Sequence, residues 1–194
     1  MSNQNQITTG IIKFSDIADL PLDDAITAIR TSSRIRYGDI KISDLLLNGS
    51  ITHLKLSDFS LASNYGIGVY VFFDGDVPVY AGKADNFLHR LSSHRSIDPR
   101  PNWGWNALLQ KICATRMNIV KDHTRENLEG ALAIVEAFGV VRIVLDTDAA
   151  KQKLSRFERV IMKGIKHQSD TLLNGGIGRL PDNFILQPIK NLMQ

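Results

Sequence analysis

The amino-acid sequence predicts a mixed α+β fold in which a small mixed β-sheet is flanked by helices. A hairpin pattern over residues 68–82 runs directly into a helical pattern. The run VVRIVLD at 140–146 is rich in β-branched residues, as buried strands are. Helical patterns lie on both sides of that run. The resulting order of hairpin, helix, helix, strand and helix is that of an α+β domain.

Composition limits the class of protein. The 194 residues include 43% hydrophobic and 22% charged side chains, which suits one globular domain with a sizeable core. The only cysteine, Cys113, excludes an internal disulfide and favours a reducing compartment, so we expect a cytoplasmic protein. No signal-peptide pattern and no membrane-length apolar run is seen. The formal net charge of +3 permits a nucleic-acid partner without requiring one.

Residues 1–63 are interpreted as an N-terminal accessory segment. IIKFSDI at 11–17 predicts a short strand, and LPLDDAITAIRTSS at 20–33 predicts a helix. Pro21 lies near the start of that helix, and two aspartates lie in its first turn, where they suit the helix dipole. A linker-like stretch at 56–66 then leads into the hairpin.

The hairpin has strand patterns at 68–73 and 77–82, and its register decides how Tyr70 and Tyr80 are related. The two tyrosines face each other only if the turn pivots on Gly75, as in a three-residue loop with glycine in the left-handed conformation. A two-residue Asp74-Gly75 turn would put them on opposite faces. We predict the three-residue loop. Cross-strand aromatic pairs commonly stabilise sheets, so the pair alone predicts packing as readily as chemistry.

The helix predicted for DNFLHRLSSH, residues 85–94, follows the hairpin at once. Asp85 is its expected N-cap, and apolar residues at 87, 88 and 91 form its buried stripe. Arg90 and His94 are four residues apart and share a face of the helix. Arg90 lies at the margin of the stripe, from which it can reach back over the hairpin. A solvated arginine with a buried stem is the alternative.

A second helix, predicted for residues 153–168, is basic but carries one acid. Between residues 151 and 167 the basic side chains are Lys151, Lys153, Arg156, Arg159, Lys163 and Lys166, and the only carboxylate is Glu158. An internal salt bridge to Arg159, Lys151 or Lys166 is one interpretation of Glu158. A divalent-metal ligand is the other, because Mg²⁺ takes one or two carboxylates together with water and substrate phosphate.

The remaining elements complete the chain. We predict a helix at 106–116 that ends in a strand, and a helix at 124–139 capped by Thr124 and stopped by Gly139. A glycine-rich loop follows at 172–183. Histidines do not cluster with the cysteine, so zinc is not expected. Trp103 and Trp105 are twice as readily explained by packing as by base stacking.

These motifs resemble those of the GIY-YIG nuclease superfamily. GVY at 68–70, YAG at 80–82, an arginine eight residues later and a glutamate on a downstream helix appear in that family's order. His94 resembles a feature of some restriction-enzyme members, and LLN at 172–174 resembles a later asparagine motif. Val69 and Ala81 replace the family isoleucines, but both are apolar strand residues. The resemblance covers roughly residues 66–175.

The resemblance implies a GIY-YIG core and the hydrolysis of phosphodiester bonds with one divalent metal. Glu158 would hold Mg²⁺, for which Mn²⁺ could substitute, against the phosphate and the leaving oxygen. Arg90 would stabilise charge on the phosphate. Tyr70 would be the general base for the attacking water, although a free tyrosine has a pKa of about 10 and needs a nearby charge.

The other implied site residues support these three. Lys83 or His94 would assist Tyr70, and Tyr80 would orient water or phosphate. Asn174 would anchor the sheet or a phosphate. The implied organisation has an accessory, DNA-contacting segment at 1–63, a nuclease core at 64–180 with an insertion near 96–125, and a tail at 181–194.

Our leading hypothesis is a Mg²⁺-dependent, sequence-specific DNA endonuclease of the type II restriction kind. It would act on double-stranded DNA as a homodimer on a palindrome, or as a monomer that nicks twice. A cognate methyltransferase is a further partner that this hypothesis allows. The alternatives are a less specific nuclease in defence, repair or toxin roles, and a catalytically silent module that binds nucleic acid.

Overall fold

The computed structural model describes residues 10–41, 66–100, 106–121, 123–175 and 178–194, and within them it confirms the mixed α+β fold. The strands are β1 (Ile11–Lys13), β2 (Ile35–Arg36), β3 (Gly68–Asp74), β4 (Val77–Ala84) and β5 (Gly139–Val144). The first helices are α1 (Phe14–Ile17), α2 (Leu22–Thr31), α3 (Phe87–Ser93) and α4 (Ala107–Arg116). The later helices are α5 (Arg125–Glu136), α6 (Asp148–Lys151), α7 (Leu154–Gln168) and α8 (Ile189–Leu192). Short 3₁₀ helices cover Tyr37–Asp39 and Phe184–Leu186.

The five strands form one mixed sheet, in the order β1-β5-β3-β4, with β2 also paired to β5. β1 runs parallel to β5, whereas β2 and β3 run antiparallel to it. β3 pairs with β4 along its other side, so β4 is the outer strand of the hairpin. Side chains alternate between the two faces of a sheet, and here each face is covered by its own helices.

One face of the sheet, here called the apolar face, packs against α2 and α7. It presents Val69, Val71 and Phe73 from β3, with valine and isoleucine from β5. All of these side chains are buried. Gly164 of α7 lets the helix approach α2 closely, because a Cβ there would meet Ile26. The apolar face is therefore lined by hydrophobic side chains, with the Arg34 guanidinium over the ring of Phe73.

The other face, here called the tyrosine face, packs against α3, α4 and α5. β3 and β4 contribute Tyr70, Phe72 and Tyr80 to its buried cluster. Arg142 of β5 is 1% exposed and pairs in register with Tyr70. Polar atoms therefore enter the core on this face of the sheet.

Residues 10–41 belong to this same core, although the sequence suggests an accessory segment. They supply β1 and β2 to the sheet and α2 to the apolar face. The C-terminal stretch is also integrated, since Ile189 N donates to Leu20 O and the Ile189 side chain is fully buried. The boundaries at 63 and 180 and the DNA-contacting role of residues 1–63 stay predictions.

Four local predictions need correction, and one is confirmed. The strand predicted for 11–17 ends at Lys13, and Phe14–Ile17 form α1. Residues 107–116 form only a helix, which ends without the expected strand. α5 ends at Glu136, and Gly139 begins β5 instead of stopping the helix. The cap of α3 is Asn86, whose side chain accepts from His89 N, and not Asp85. The Thr124 cap is confirmed, because its hydroxyl accepts from Asn127 N.

Candidate active site

The turn of the β-hairpin contradicts the predicted register. Asp74 and Val77 pair directly, so the turn has two residues, Gly75 and Asp76. Gly75 has a φ of 56°, in the left-handed region that glycine adopts readily. A regular two-residue hairpin would put Tyr70 and Tyr80 on opposite faces.

A β-bulge returns both tyrosines to the same face. The register shifts between Phe72 and Phe73, so that Val79 is an extra residue in β4. Phe72 then pairs with Tyr80, and Tyr70 pairs with Gly82. The prediction that the tyrosines oppose each other is wrong, but they are diagonal neighbours. Their ring centroids lie 6.4 Å apart at an interplanar angle of 20°.

Gly82 is a site residue that the sequence interpretation did not single out. A Cβ at this position would collide with Tyr70 Oη and its ring carbon Cζ. The glycine therefore makes room for the tip of the phenol that lies across from it. A glycine inside a strand is the signal, since it often marks a close approach of another group.

Tyr70 lies at the centre of a buried polar cluster. Its hydroxyl is 2.6 Å from His94 Nε2 and accepts a hydrogen bond from Arg90 Nε at 3.1 Å. Tyr70 and His94 are each 0% exposed. Burial raises the pKa of Tyr70 well above 10, with a further contribution from Tyr80, and the Arg90 charge opposes this without overcoming it. The phenol is thus neutral. The sequence predicts that a nearby charge lowers the pKa of Tyr70, but the effect of burial is larger than the effect of Arg90.

His94 is also neutral and is the hydrogen-bond acceptor for that phenol. Burial, reinforced by the charge on Arg90, lowers the pKa of His94 to about 3. Arg90 already donates to the Tyr70 oxygen, so the Tyr70 proton is available to point at Nε2. We assign the His94 proton to Nδ1, which is buried without a hydrogen-bond partner among the described residues. The arrangement gives the Tyr70 proton a direct acceptor.

Arg90 links the buried cluster to the outside. Burial alone would lower its pKa, but the phenol oxygens of Tyr70 and Tyr80 raise it, so the guanidinium stays charged. The same charge opposes the burial that raises the pKa of Tyr80. Its backbone sits in the last turn of α3, which packs on the tyrosine face. The guanidinium therefore spans the two phenols that the bulge brings together.

Glu158 reaches the same region from the opposite side of the sheet. α7 packs on the apolar face, yet Glu158 Oε1 accepts from Lys83 N at the outer edge of β4, at 3.0 Å. Its Oε2 lies 3.9 Å from Lys83 Nζ, which also donates to Ser155 Oγ at 2.7 Å. The expected internal salt bridge thus exists, but its partner is Lys83. Burial raises the pKa of Glu158, and the charges on Lys83 and Arg90 partly offset this.

Asn174 anchors the outer edge of β4. Its Oδ1 accepts from Ala81 N at 3.2 Å, and its Nδ2 donates to Ala81 O at 2.6 Å. Leu173 N donates to Val79 O at 2.8 Å, and the Thr171 hydroxyl donates to Pro78 O at 2.6 Å. This geometry corresponds to the sheet-anchoring role of Asn174, the first of the two roles predicted for it.

A cleft of about 500 Å³ opens where these elements meet. Its lining residues are Tyr80, Gly82, Lys83, Asp85, Arg90, Leu154 and Glu158. Four predicted site residues therefore line one cleft, while Tyr70 and His94 lie behind it and Asn174 lies on the strand edge. Asp85 is a second carboxylate that the sequence interpretation took for a helix cap. Asn86 holds that cap instead, and Asp85 contributes to the wall of the cleft.

The acidic groups of the cleft fit only a sparsely coordinated metal. Among the described residues, no group of three His, Cys, Asp or Glu side chains lies close enough together to hold an ion. A site for Mg²⁺ here would rely on Glu158, with water and substrate phosphate as the other ligands, and this is a coordination that Mg²⁺ accepts. Oε2 of Glu158 makes no hydrogen bond within the described ranges and has the Lys83 ammonium as its neighbour.

Three sequence predictions lie wholly or partly outside the described residues. They concern the linker-like stretch at 56–66, Trp103 and Trp105, and part of the glycine-rich loop, at 176–177. No helix in the described part of the chain is both long enough and apolar enough to cross a membrane. Comparison with protein-family models, curated proteins and solved structures finds no match to the chain.

Proposed function

We propose that this protein is a divalent-metal-dependent endonuclease that hydrolyses phosphodiester bonds in double-stranded DNA. One observation carries the proposal: Tyr80, Lys83, Arg90 and Glu158 line a single cleft, although they come from both faces of the sheet. Packing alone does not require a guanidinium, an ammonium, a carboxylate and a phenol to meet at one strand edge. Such a set suits a phosphate diester, whose transition state needs positive charge and a proton acceptor.

Glu158 is the residue that would hold the metal, Mg²⁺ or Mn²⁺. The bound ion would supply Lewis-acid stabilisation of the charge on the phosphate. A metal ion at Glu158 would take the place of the Lys83 ammonium, which now lies 3.9 Å from Oε2 of this carboxylate. Burial raises the pKa of Glu158, so the carboxylate is costly to ionise and gains from a cation.

Arg90 would bind the phosphate itself. Its guanidinium is half-buried, charged and presented to the cleft, and a planar fork of donors matches phosphate oxygens. Binding a phosphate would draw this guanidinium towards the cleft and away from Tyr70. The Tyr70 hydroxyl, which Arg90 Nε now contacts at 3.1 Å, would then be open to a water molecule.

Tyr70 would act as the general base and pass its own proton to His94. Tyr80 lines the cleft, but only Tyr70 has a neutral imidazole nitrogen 2.6 Å from its oxygen. As water attacks phosphorus, its proton would move to the Tyr70 oxygen while Tyr70 O–H passes its own proton to His94 Nε2, so that no free phenolate forms. The P–O bond to the leaving oxygen would then break, with the charge left on that oxygen balanced by the metal. Tyr80 would orient the water or the phosphate, and no covalent intermediate with the protein forms.

The substrate is proposed to be a polyanion because basic side chains continue along α7 beyond the cleft, whose own charged lining is Lys83 and Arg90 with Asp85 and Glu158. Three polar side chains follow one another along α7 at intervals of about one helical turn: Ser155, Arg159 and Lys163. The first of them, Ser155, contacts Lys83 at the cleft. The Arg159 guanidinium packs against Gly178. A row of basic side chains leading away from the cleft suits the phosphates that flank the cleavage point.

Sequence-specific restriction-like cleavage in the cytoplasm is the form of the proposal that we favour. A homodimer on a palindromic site and a cognate methyltransferase would accompany it, and an unspecific nuclease is the alternative. A silent nucleic-acid-binding module is a second candidate function. It is favoured by one observation, that Glu158 is already engaged with Lys83 N and near Lys83 Nζ.

Incubation of the protein with supercoiled plasmid DNA and Mg²⁺ tests these alternatives. Glu158→Gln retains an acceptor for Lys83 N but loses the charge, so we expect cleavage to fall about 100-fold or more, since a metal supplies several kcal/mol. Glu129→Gln, which removes the carboxylate of the exposed ion pair with Arg125, is the matched control and should cleave normally.

A second readout separates metal binding from cleavage. Mn²⁺ titration followed by calorimetry should detect a site in the natural protein and none in Glu158→Gln. Discrete DNA fragments would support the restriction-like form, and a smear would support an unspecific nuclease. DNA binding without cleavage, and without Mn²⁺ binding, would refute the nuclease proposal in favour of the silent module.

A further inference from the structure

Tyr37 is a buried tyrosine that no motif of the sequence singles out. It begins the 3₁₀ helix after β2 and is 1% exposed. Its ring packs edge-on against Phe72, with centroids 5.0 Å apart, and Tyr37 N donates to Phe138 O at 2.8 Å. The sheet and the end of α5 therefore fix the position of Tyr37 independently of its contacts near the cleft.

From this fixed position Tyr37 makes two contacts with the end of α3. Its hydroxyl donates to Leu91 O at 2.5 Å. Arg95 Nη2 donates to Tyr37 O at 2.7 Å, and the Arg95 guanidinium lies over the Tyr37 ring, 4.8 Å from its centroid. Leu91 precedes His94 by three residues and Arg95 follows it by one. The two contacts thus bracket the histidine whose Nε2 faces Tyr70.

Phe72 completes the connection on the sheet side. Its ring contacts the Tyr37 ring and also the His94 ring, whose centroid is 5.7 Å away at an interplanar angle of 88°. His94 is therefore held by the helix end on one side and by the sheet on the other. The Leu91 carbonyl is one of the last carbonyls of α3, which lack partners inside the helix, so the Tyr37 hydroxyl also satisfies a helix terminus.

We infer that Tyr37 is a positioning residue of the cleavage site: it holds the turn at the end of α3 so that His94 Nε2 stays within hydrogen-bond distance of the Tyr70 hydroxyl. The effect on cleavage rests on the proposed nuclease function, whereas the effect on the position of α3 and His94 does not. Tyr37 does not touch the cleft or the substrate, and it acts only through α3.

Tyr37→Phe is the sharpest test because it removes one hydroxyl and keeps the ring against Phe72 and Arg95. A misplaced catalytic group slows chemistry without weakening substrate binding. We expect kcat on supercoiled plasmid with Mg²⁺ to fall at least about tenfold, towards about 100-fold, with KM unchanged. Arg156→Met is the matched control, because it also removes a side-chain bond to a carbonyl, Arg156 Nε to Leu192 O at 2.7 Å.

Amide hydrogen exchange supplies a readout that does not depend on cleavage. Tyr37→Phe should accelerate exchange in residues 87–95, while Arg156→Met should leave that segment unchanged even if both variants melt earlier. If no version of the protein cleaves DNA, the proposed function fails, and exchange alone decides the role of Tyr37. Unchanged exchange in 87–95, or an equal loss of kcat in both variants, would overturn the inference.

Discussion

The two faces of the sheet are built from the same strands but contain different chemistry. On the apolar face, Val69 and Val71 pack against hydrocarbon from α2 and α7, and the Arg34 guanidinium covers the ring of Phe73 at 4.2 Å from its centroid. On the tyrosine face, the intervening residues Tyr70 and Phe72 meet a buried histidine and, through Tyr70, an arginine. Alternation along one strand therefore separates the residues that stabilise the fold from those that form the site.

This separation places most of the energetic cost on one face. Apolar burial stabilises the fold by about 25 cal/mol per Å², and the buried cluster of the apolar face is hydrophobic, with the Arg34 guanidinium against Phe73. The tyrosine face buries an imidazole whose Nδ1 has no partner among the described residues, and a phenol whose pKa is raised by burial. Buried polar groups of this kind reduce stability, and they are typical of sites where function is retained at that cost.

Neighbouring substitutions on β3 should separate the two faces most clearly. We expect Tyr70→Phe to reduce cleavage by about 10²-fold to 10⁴-fold, the range for loss of a general base, and to reduce the free energy of unfolding by about 1–3 kcal/mol because His94 Nε2 loses its partner. Val71→Ala should leave the cleavage rate of the folded protein unchanged and reduce the free energy of unfolding by roughly 2 kcal/mol through the cavity it leaves. Plasmid cleavage and urea denaturation measure the two effects.

Tyr80→Phe is the control that assigns the base. Because Tyr80 lines the cleft but lacks the contact with His94 Nε2, its loss should reduce cleavage less than the loss of Tyr70. A greater loss in Tyr80→Phe would reverse the roles of the two phenols, and the buried Tyr70 would then be a structural residue.

Two glycines of the hairpin allow a test of the bulged register. Gly82→Ala would drive a Cβ into Tyr70 Oη, which should cost about 1–3 kcal/mol and displace the phenol from His94. Gly75→Ala, at φ 56°, should cost a similar amount, about 1–2 kcal/mol, because of backbone strain. A Cβ at Gly75 has nothing within 4 Å, so that variant should still cleave. Equal cleavage by the two variants would contradict the register.

The pH dependence of stability should reveal the buried histidine. His94 has a pKa of about 3 in the folded protein, while an unfolded histidine has a pKa of about 6.5. Between these values the unfolded chain binds a proton that the folded chain excludes, so stability falls as pH falls, by up to about 1.4 kcal/mol per pH unit. Urea denaturation between about pH 4.5 and 6.5 should show a shallower slope for His94→Gln. Thr115→Ala, which removes no titratable group from the surface of α4, should keep the original slope.

Much of the fold could be predicted because its elements are marked locally. The β-branched run at 140–146 and the patterns around Gly75 and Thr124 depend on backbone and side-chain preferences of a few adjacent residues. The expectation that both tyrosines share a face rested on a three-residue turn, which is wrong; the β-bulge in β4 gives that result instead. The bulge at Val79 could not be predicted, since it depends on how β4 fits β3 along its whole length.

The sequence predicts which residues belong to the candidate site better than it predicts how they are arranged. Lys83 as the partner of Glu158 and Asp85 as part of the cleft both depend on contacts between distant segments. Asp85 and Asn86 are equally good helix caps by residue type, so sequence alone does not choose between them. Tyr37 lies 57 positions before His94 and has no spacing signal that would link the two.

The covered edge of β4 restricts how two copies of this chain can associate. Side chains and one backbone amide already occupy five of its backbone groups, Pro78 O, Val79 O, Ala81 N, Ala81 O and Lys83 N. An exposed strand edge invites another chain to continue the sheet, and occupied groups remove that template. Two molecules therefore cannot join β4 to β4 into one larger sheet. Two associated copies would meet through other surfaces of the molecule.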